Sequence, residues 1–354
     1  MSQVKASITP KQFLMNILNG LALGTVVSLI PGALFGELLK VLLPVFPQGQ
    51  TLLQAVTMSN SMMGIVIGVI IGLMFKFTPI QAASVGLAVI FAGGAPKFDP
   101  AVQGIVFSGT GDIINMGLTA ALAVAIILLI GDKAKAYTVL VIPTVSLLVA
   151  GGIGRTILPY VQSVTVLLGQ AVASLLTLQP ILMSILIAMI FCFLIVSPIT
   201  TVGIAVAIGI SGIGSAAANL GICAAGFGLA IAGWKVNSAG TSVAHFIGSP
   251  KLSMANVLTK PKILLPMLCS AAILGALGAI FNLQGTPMSA GFGFSGLVGP
   301  INALNLAPGG WTMGNIVLIT LIFLVAPVIL GLIFNHLFVN VFKIIQPEDY
   351  KITI

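Results

Sequence analysis

Residues 156–234 contain no Lys, Arg, Asp or Glu, and that fact decides most of what this chain can fold into. A second stretch, residues 263–342, has none either and adds only His336. A spanning helix takes roughly 20 apolar residues, so each stretch holds about three or four crossings. Shorter uncharged runs cover residues 12–36, 41–75, 77–96, 113–131 and 136–154. A soluble domain has about 25% charged residues, whereas this chain has 6%, with a mean hydropathy of +1.21. No water-facing surface can be assembled from that composition, and no stretch reads as a soluble domain.

In lipid every backbone polar group has to be satisfied internally, which leaves helices or a closed barrel. A barrel alternates apolar and polar residues over about ten residues per strand. Continuous apolar runs at 62–75 and 181–196 are the helical pattern instead. Crossings are expected at 12–44, 50–75, 79–95, 110–131, 137–157, 159–177, 181–197, 199–216, 218–234, 263–283 and 313–342. Some of these are tilted or fused into one broken helix, with Pro31, Pro143 and Pro159 as interruptions. Lys11 runs directly into apolar sequence, without the small-residue cleavage site of a secretory signal.

The net charge of +8 is a matter of topology rather than of nucleic-acid binding. Most of its lysines gather in four clusters: Lys5 and Lys11; Lys133 and Lys135; Lys251, Lys260 and Lys262; Lys343 and Lys351. Placing all four in the cytoplasm satisfies the positive-inside rule. An even number of crossings must then separate them, which favours about ten transmembrane helices with both termini cytoplasmic. The class expected is an all-α polytopic membrane protein. Cys192, Cys223 and Cys269 lie in apolar segments without CxxC spacing and read as small core residues, not as metal ligands or a disulfide.

The chain also repeats itself weakly. Leu53-Gln54 with Met58-Ser59 returns as Leu178-Gln179 with Met183-Ser184. Thr78-Pro79-Ile80 returns as Ser197-Pro198-Ile199, and Gly109-Thr110 with Gly117 as Gly240-Thr241 with Gly248. The order and offsets suggest duplication, with repeat-like halves at about 12–135 and 136–283 and a C-terminal part, 284–354, of one integral membrane domain. Transporters are commonly built from such repeats, with the binding site between them.

Three Gly-rich regions break the helical pattern: 91–115, 237–248 within the longer stretch 235–262, and 285–310. Irregular backbone at membrane depth persists only where it lines a cavity or is buried in protein. They read as re-entrant segments around a substrate site, or alternatively as ordinary loops. Their polar side chains give the candidate substrate-binding set: Asp112, Asn115, Asn237, Thr241, Ser242, His245, Ser295 and Asn302. Asp112 suits a helix N-cap equally well, and His245 a structural hydrogen bond. Glu37 and Lys40 lie one turn apart and can pair locally. Trp234 and Trp311 read as interfacial anchors. Neither a Walker A pattern nor GxSxG nor a metal-spaced cluster is visible, so no catalytic set, cofactor or metal site is expected.

The chain resembles the EIIC-like membrane subunits of the bacterial phosphotransferase system, in the branch of perfringolysin-regulator-like (PfoR-type) proteins. The likeness runs through Phe77-Thr78-Pro79-Ile80-Gln81-Ala82, Gly109-Thr110-Gly111-Asp112, Asn237-Ser238-Ala239-Gly240-Thr241-Ser242, Met254-Ala255-Asn256-Val257 and Gly293-Phe294-Ser295-Gly296. It implies a sugar-translocating permease of the bacterial plasma membrane. Such a permease is homodimeric, works by elevator-like alternating access and is served by a separate EIIB protein. Better-known sugar EIIC proteins place a Glu after Gly-x-Thr, where it binds sugar hydroxyls. Here Gly240-Thr241 is followed by Ser242, Val243, Ala244 and His245. A membrane-embedded regulator that kept the fold without coupled phosphorylation is the alternative.

Overall fold

The computed structural model describes residues 8–352 apart from 131, 132, 135 and 136, and apart from the side chains of 33, 37 and 41. Lys5, Lys135 and the carboxylate of Glu37 therefore lie outside the described residues. Among the described residues six helices are long and apolar enough to cross a membrane: Pro10–Lys40, Ile113–Ile130, Thr138–Leu175, Gly212–Ala232, Pro261–Ile280 and Met313–Val341. Gly49–Ser61 and Met63–Met74, bent by 52° at their junction, make a seventh if they count as one span. Pro79–Gly93 and Pro180–Ile195 are apolar but shorter. This is an all-α polytopic membrane protein.

The boundaries differ from the expected ones in two places. Segments 137–157 and 159–177 are a single helical run, Thr138–Leu175. It carries Pro143 and Pro159 without stopping, through a π-helical stretch at Ser146–Gly151. A widened turn of this kind absorbs a register change inside a continuous helix. Segment 199–216 is not a crossing. Thr201–Ala207 ends after two turns, and Gly209 and Gly212 take left-handed backbone before the next helix starts at Gly212.

The chain divides into two compact units. The first comprises Met1–Thr25 and Met62–Leu158, the second Val26–Ser61 and Pro159–Thr353.

In the first unit, Met63–Met74 packs along Pro79–Gly93. Its glycines recur every fourth residue, at 64, 68 and 72. A Cβ on Gly68 would lie 2.6 Å from the Cα of Gly86, and one on Gly72 2.6 Å from the Cα of Ala82. Without side chains on that stripe the two backbones touch, which is how helices gain dispersion contact where lipid supplies no hydrophobic drive. Pro79–Gly93 opens with a capping box between Thr78 and Gln81. Between it and Ile113–Ile130 stands a feature that the sequence did not announce, an antiparallel hairpin of Pro96–Asp99 and Gly104–Phe107.

In the second unit, Gly212–Ala232 is the central helix, buried along nearly its whole length. Pro180–Ile195, Leu265–Ile280 and Ala326–His336 surround it. Its Gly, Ala and Ser residues permit close approach from all sides: a Cβ on Gly228 would lie 2.8 Å from Met267, and Gly221 abuts the backbone of Ala188. The C-terminal residues bind back onto this unit. Asn237 donates to the Tyr350 carbonyl at 2.9 Å and accepts from the Ile352 N–H at 2.8 Å. Asn256 donates to the carbonyls of Asp349 and Lys351, and the Tyr350 hydroxyl to that of Ile263.

Candidate functional site

The site is built in the second unit from one short helix, one turn and one Gly-rich loop. The helix Ala239–Ile247 starts at Ser238, whose hydroxyl accepts from the Thr241 N–H at 3.2 Å. Thr241 pairs its own hydroxyl with that of Ser238 at 2.8 Å and faces outward. One turn further in, Ser242 and His245 are fully buried. His245 Nδ1 lies 3.1 Å from the Ser242 carbonyl, and Nε2 lies 2.8 Å from Ser253 Oγ. A carbonyl only accepts, so in the neutral ring Nδ1 carries the hydrogen and Nε2 accepts from the Ser253 hydroxyl. The Ser242 hydroxyl is buried with no partner, a condition that favours a bound polar group or water.

The turn Pro250–Ser253 follows. Lys251, counted above with Lys260 and Lys262 as a loop cation, is in fact 3% exposed. Its ammonium donates to the carbonyls of Ser197 at 2.5 Å and Ile199 at 2.7 Å. The helix Pro180–Ile195 has just ended there, so its C-terminal carbonyl end supplies the negative pole that this buried cation needs.

The loop 285–297 is pinned to the central helix. Gly285 and Gly212 exchange both backbone hydrogen bonds, at 2.9 and 3.0 Å. One helical turn apart, Ser215 donates to the Thr286 carbonyl at 2.8 Å, and Asn219 Oδ1 accepts from the Gly293 N–H at 2.9 Å. Thr201 holds the Gly291 carbonyl from the other side at 3.0 Å. Gly293, Gly296 and Leu297 all take positive φ, which turns the chain back so that Ser295 donates to the carbonyls of Ile247 and Gly248. Asn302 is held locally, accepting from Thr286 and donating to the Val298 carbonyl.

Helix and loop bring His245 and Ser295 together with Phe246, Phe292 and Phe294, and with Gly226 and Cys223 of the central helix, around a narrow recess. Phe227 stacks on Phe246 with centroids 4.5 Å apart, and Phe294 sets its edge to Phe227 at 5.1 Å. The recess therefore has aromatic walls and hydrogen-bonding groups at one end, the composition of a small-molecule site. Packing in this conformation is tight enough that it holds no water-sized space.

Of the expected set, His245 and Ser295 come together here, with Ser242 one turn from His245 on the same helix. Asn237 instead ties down the C-terminal residues, and Asn302 and Thr241 serve their own turns. Asp112 and Asn115 belong to the first unit. Asp112 Oδ1 accepts from the Asn115 N–H at 2.8 Å, which caps Ile113–Ile130, and its own N–H donates to the Gly93 carbonyl at 2.8 Å. Asn115 Nδ2 donates to the carbonyls of Ala92 at 2.7 Å and Gly154 at 2.9 Å. Arg155 reaches the Phe91 carbonyl at 3.4 Å. These three donors cap the C-terminal end of Pro79–Gly93, so the geometry of Asp112 and Asn115 is that of a helix junction. Sequence reading passed over Asn219, Ser215, Lys251 and Ser253. Asn219 had a signal, as the one amide in a Gly- and Ala-rich apolar helix; Lys251 had none, because a cation between helices looks like a topogenic loop residue.

The model of the family described as Phosphotransferase system, EIIC matches residues 15–352. No curated protein and no solved structure matches the chain. The match spans nearly every residue, including the pinned loop and the helix that carries His245. The chain belongs to the EIIC family of the phosphotransferase system and is a membrane transport subunit for a small molecule, of the kind that works with an EIIB partner.

Proposed function

We propose that the protein translocates a neutral polyhydroxyl solute, a sugar, through the second unit. The observation that carries this reading is the recess between His245, Ser295 and the phenylalanines. Aromatic rings pack against the apolar faces of a sugar, and the imidazole of His245 and hydroxyl of Ser295, which bond to Ser253 and to backbone carbonyls here, exchange those partners for sugar hydroxyls when solute enters. No carboxylate lines the recess, and the ammonium of Lys251 is already committed to backbone carbonyls, so a charged solute finds no counter-ion. The division into two compact units supports elevator-like alternating access, in which one unit carries the solute. The lysine clusters support both termini on the cytoplasmic side of a bacterial plasma membrane, and the family resemblance supports a homodimer in the PfoR-like branch.

Uptake of labelled sugars into proteoliposomes, with and without an added EIIB protein, tests the reading. At least one neutral sugar should accumulate, and Ser295→Ala or His245→Ala should remove that uptake while the protein still folds. One feature favours a second reading: no Glu follows Gly240-Thr241, which runs on as Ser242-Val243-Ala244-His245, whereas the resemblance to sugar EIIC proteins implies a sugar-binding Glu after Gly-x-Thr. A regulator that binds solute without moving it fits that departure. Saturable sugar binding with no flux under any condition would select it.

A further inference from the structure

The hairpin of the first unit has a property that neither the recess nor the family accounts for. Its register pairs Pro96 with Phe107 and Phe98 with Ile105 on one face, and Lys97 with Val106 and Asp99 with Gly104 on the other. The first face is wholly apolar and open, with Phe98 and Ile105 each 69% exposed. The second carries a cation and an anion two residues apart. Among the described residues Lys260 and Asp349 form an ion pair, but Lys97 and Asp99 do not join; Asp99 Oδ1 instead accepts from the Ala101 N–H at 2.9 Å.

Position in the fold says what environment this element meets. The hairpin leads, through residues 108–112, into the start of the membrane span Ile113–Ile130, so it sits level with one end of that span. A two-stranded sheet has two free edges whose N–H and C=O groups cannot be left in hydrocarbon. Its apolar face equally resists bulk water. The zone that suits both is the headgroup layer. A recess of about 370 Å³ opens on the hairpin, lined by Lys97, Phe98, Asp99, Phe107 and Ser108 among others. That volume lies at the lower end of small-molecule sites, which run from about 300 to 1,000 Å³.

We propose that this recess binds the headgroup of a zwitterionic phospholipid, with its phosphate at Lys97 and Ser108, its ammonium at Asp99 and its acyl end against Val106, which shares the strand face of Lys97 and Asp99. The two charges of the protein lie on one strand face and are opposite in sign to the two of the headgroup. A primary ammonium donates hydrogen bonds to the Asp99 carboxylate that a quaternary one cannot. Phosphatidylethanolamine is therefore preferred over phosphatidylcholine, and also over phosphatidylglycerol, which leaves Asp99 without a partner.

Native mass spectrometry of the full chain in detergent, with the three lipids added at equal concentration and matched acyl chains, tests this. Phosphatidylethanolamine should be retained about five-fold over either competitor, the factor expected for one surface charge contact. Lys97→Gln should reduce its retention about as much, and Asp99→Asn should erase its advantage over phosphatidylglycerol. Lys97 is exposed and Asp99 half-buried, and thermal unfolding will verify that the variants fold. Equal retention of all three lipids, or wild-type retention in both variants, would overturn the proposal. So would efficient cross-linking between copies through Val102→Cys, which would give the apolar face to a second chain.

Discussion

His245 Nε2 stands 2.8 Å from the hydroxyl of Ser253, and both residues are buried to within 2%. With Nδ1 committed to the Ser242 carbonyl, this contact saturates the ring. Ser253→Ala should leave Nε2 buried without a donor, a loss of about 1–3 kcal/mol. Thermal unfolding in detergent should fall accordingly. If the sugar reading holds, the ring also becomes free to meet solute, and KM for uptake should shift more than the maximal rate. An unchanged melting temperature would show that the pair does not form.

Asn219 holds the loop 285–297 through the Gly293 N–H. Asn219→Leu keeps the branching of the side chain but adds volume and leaves that N–H unpaired. A loss of stability of about 1–3 kcal/mol is expected, together with faster hydrogen exchange in residues 285–297. Exchange that stays at the wild-type rate would mean that Gly285, Ser215 and Thr201 suffice to hold the loop.

Gly68 and Gly36 make a matched test of the small-residue contacts. A Cβ at 68 would press on the Gly86 backbone, whereas one at 36 meets nothing within 4 Å. Gly68→Val should destabilise by about 1–3 kcal/mol or more through overpacking, and Gly36→Ala should be neutral or stabilising by up to about 1 kcal/mol. Melting temperatures of the two variants, compared with wild type, decide it; similar effects at both positions would contradict the close approach.

Asp349 reports on the C-terminal attachment. Partial burial pushes its carboxyl up, but the Lys260 ammonium at 2.5 Å, the Gln346 N–H and the charge of Lys262 outweigh that and hold it below the usual range. A carboxyl depressed in the folded state stabilises above its unfolded value, near 3.9, and that contribution is lost as pH falls through the folded value. Lys260 is half exposed, so the pair contributes at most about 1 kcal/mol. Lys260→Gln should lower the melting temperature slightly at pH 7, and the difference should shrink as the pH falls below the unfolded value towards the folded one. A gap that widens on acidification would contradict the pairing.

Much of the architecture was legible in the sequence because lipid imposes one rule on every segment. Charge-free runs have to become helices, and the runs around Ile113–Ile130, Pro261–Ile280 and Met313–Val341 did so close to their expected limits. The rule fails where local chemistry competes with it. Pro143 and Pro159 looked like breaks, yet π-turn geometry kept Thr138–Leu175 continuous. Residues 91–115 read as a re-entrant segment or an ordinary loop, yet residues 96–107 paired as a hairpin.

The Gly-rich interruptions were visible as places where something other than a lipid-facing helix must form, and the helix of His245 and the loop of Ser295 were found there. What the sequence determined was thus the membrane, the helices and the segments that break them, since each depends on solvation of neighbouring residues along the chain. The tertiary structure decided which polar groups meet. Lys251 finds the carbonyls of Ser197 and Ile199 across 54 and 52 residues, and Asn219 finds Gly293 across 74. Asp112 and Asn115, equal candidates by composition, are drawn into capping a helix junction. A buried polar side chain takes whichever partner packing brings within about 3 Å, and no spacing along the chain encodes that distance.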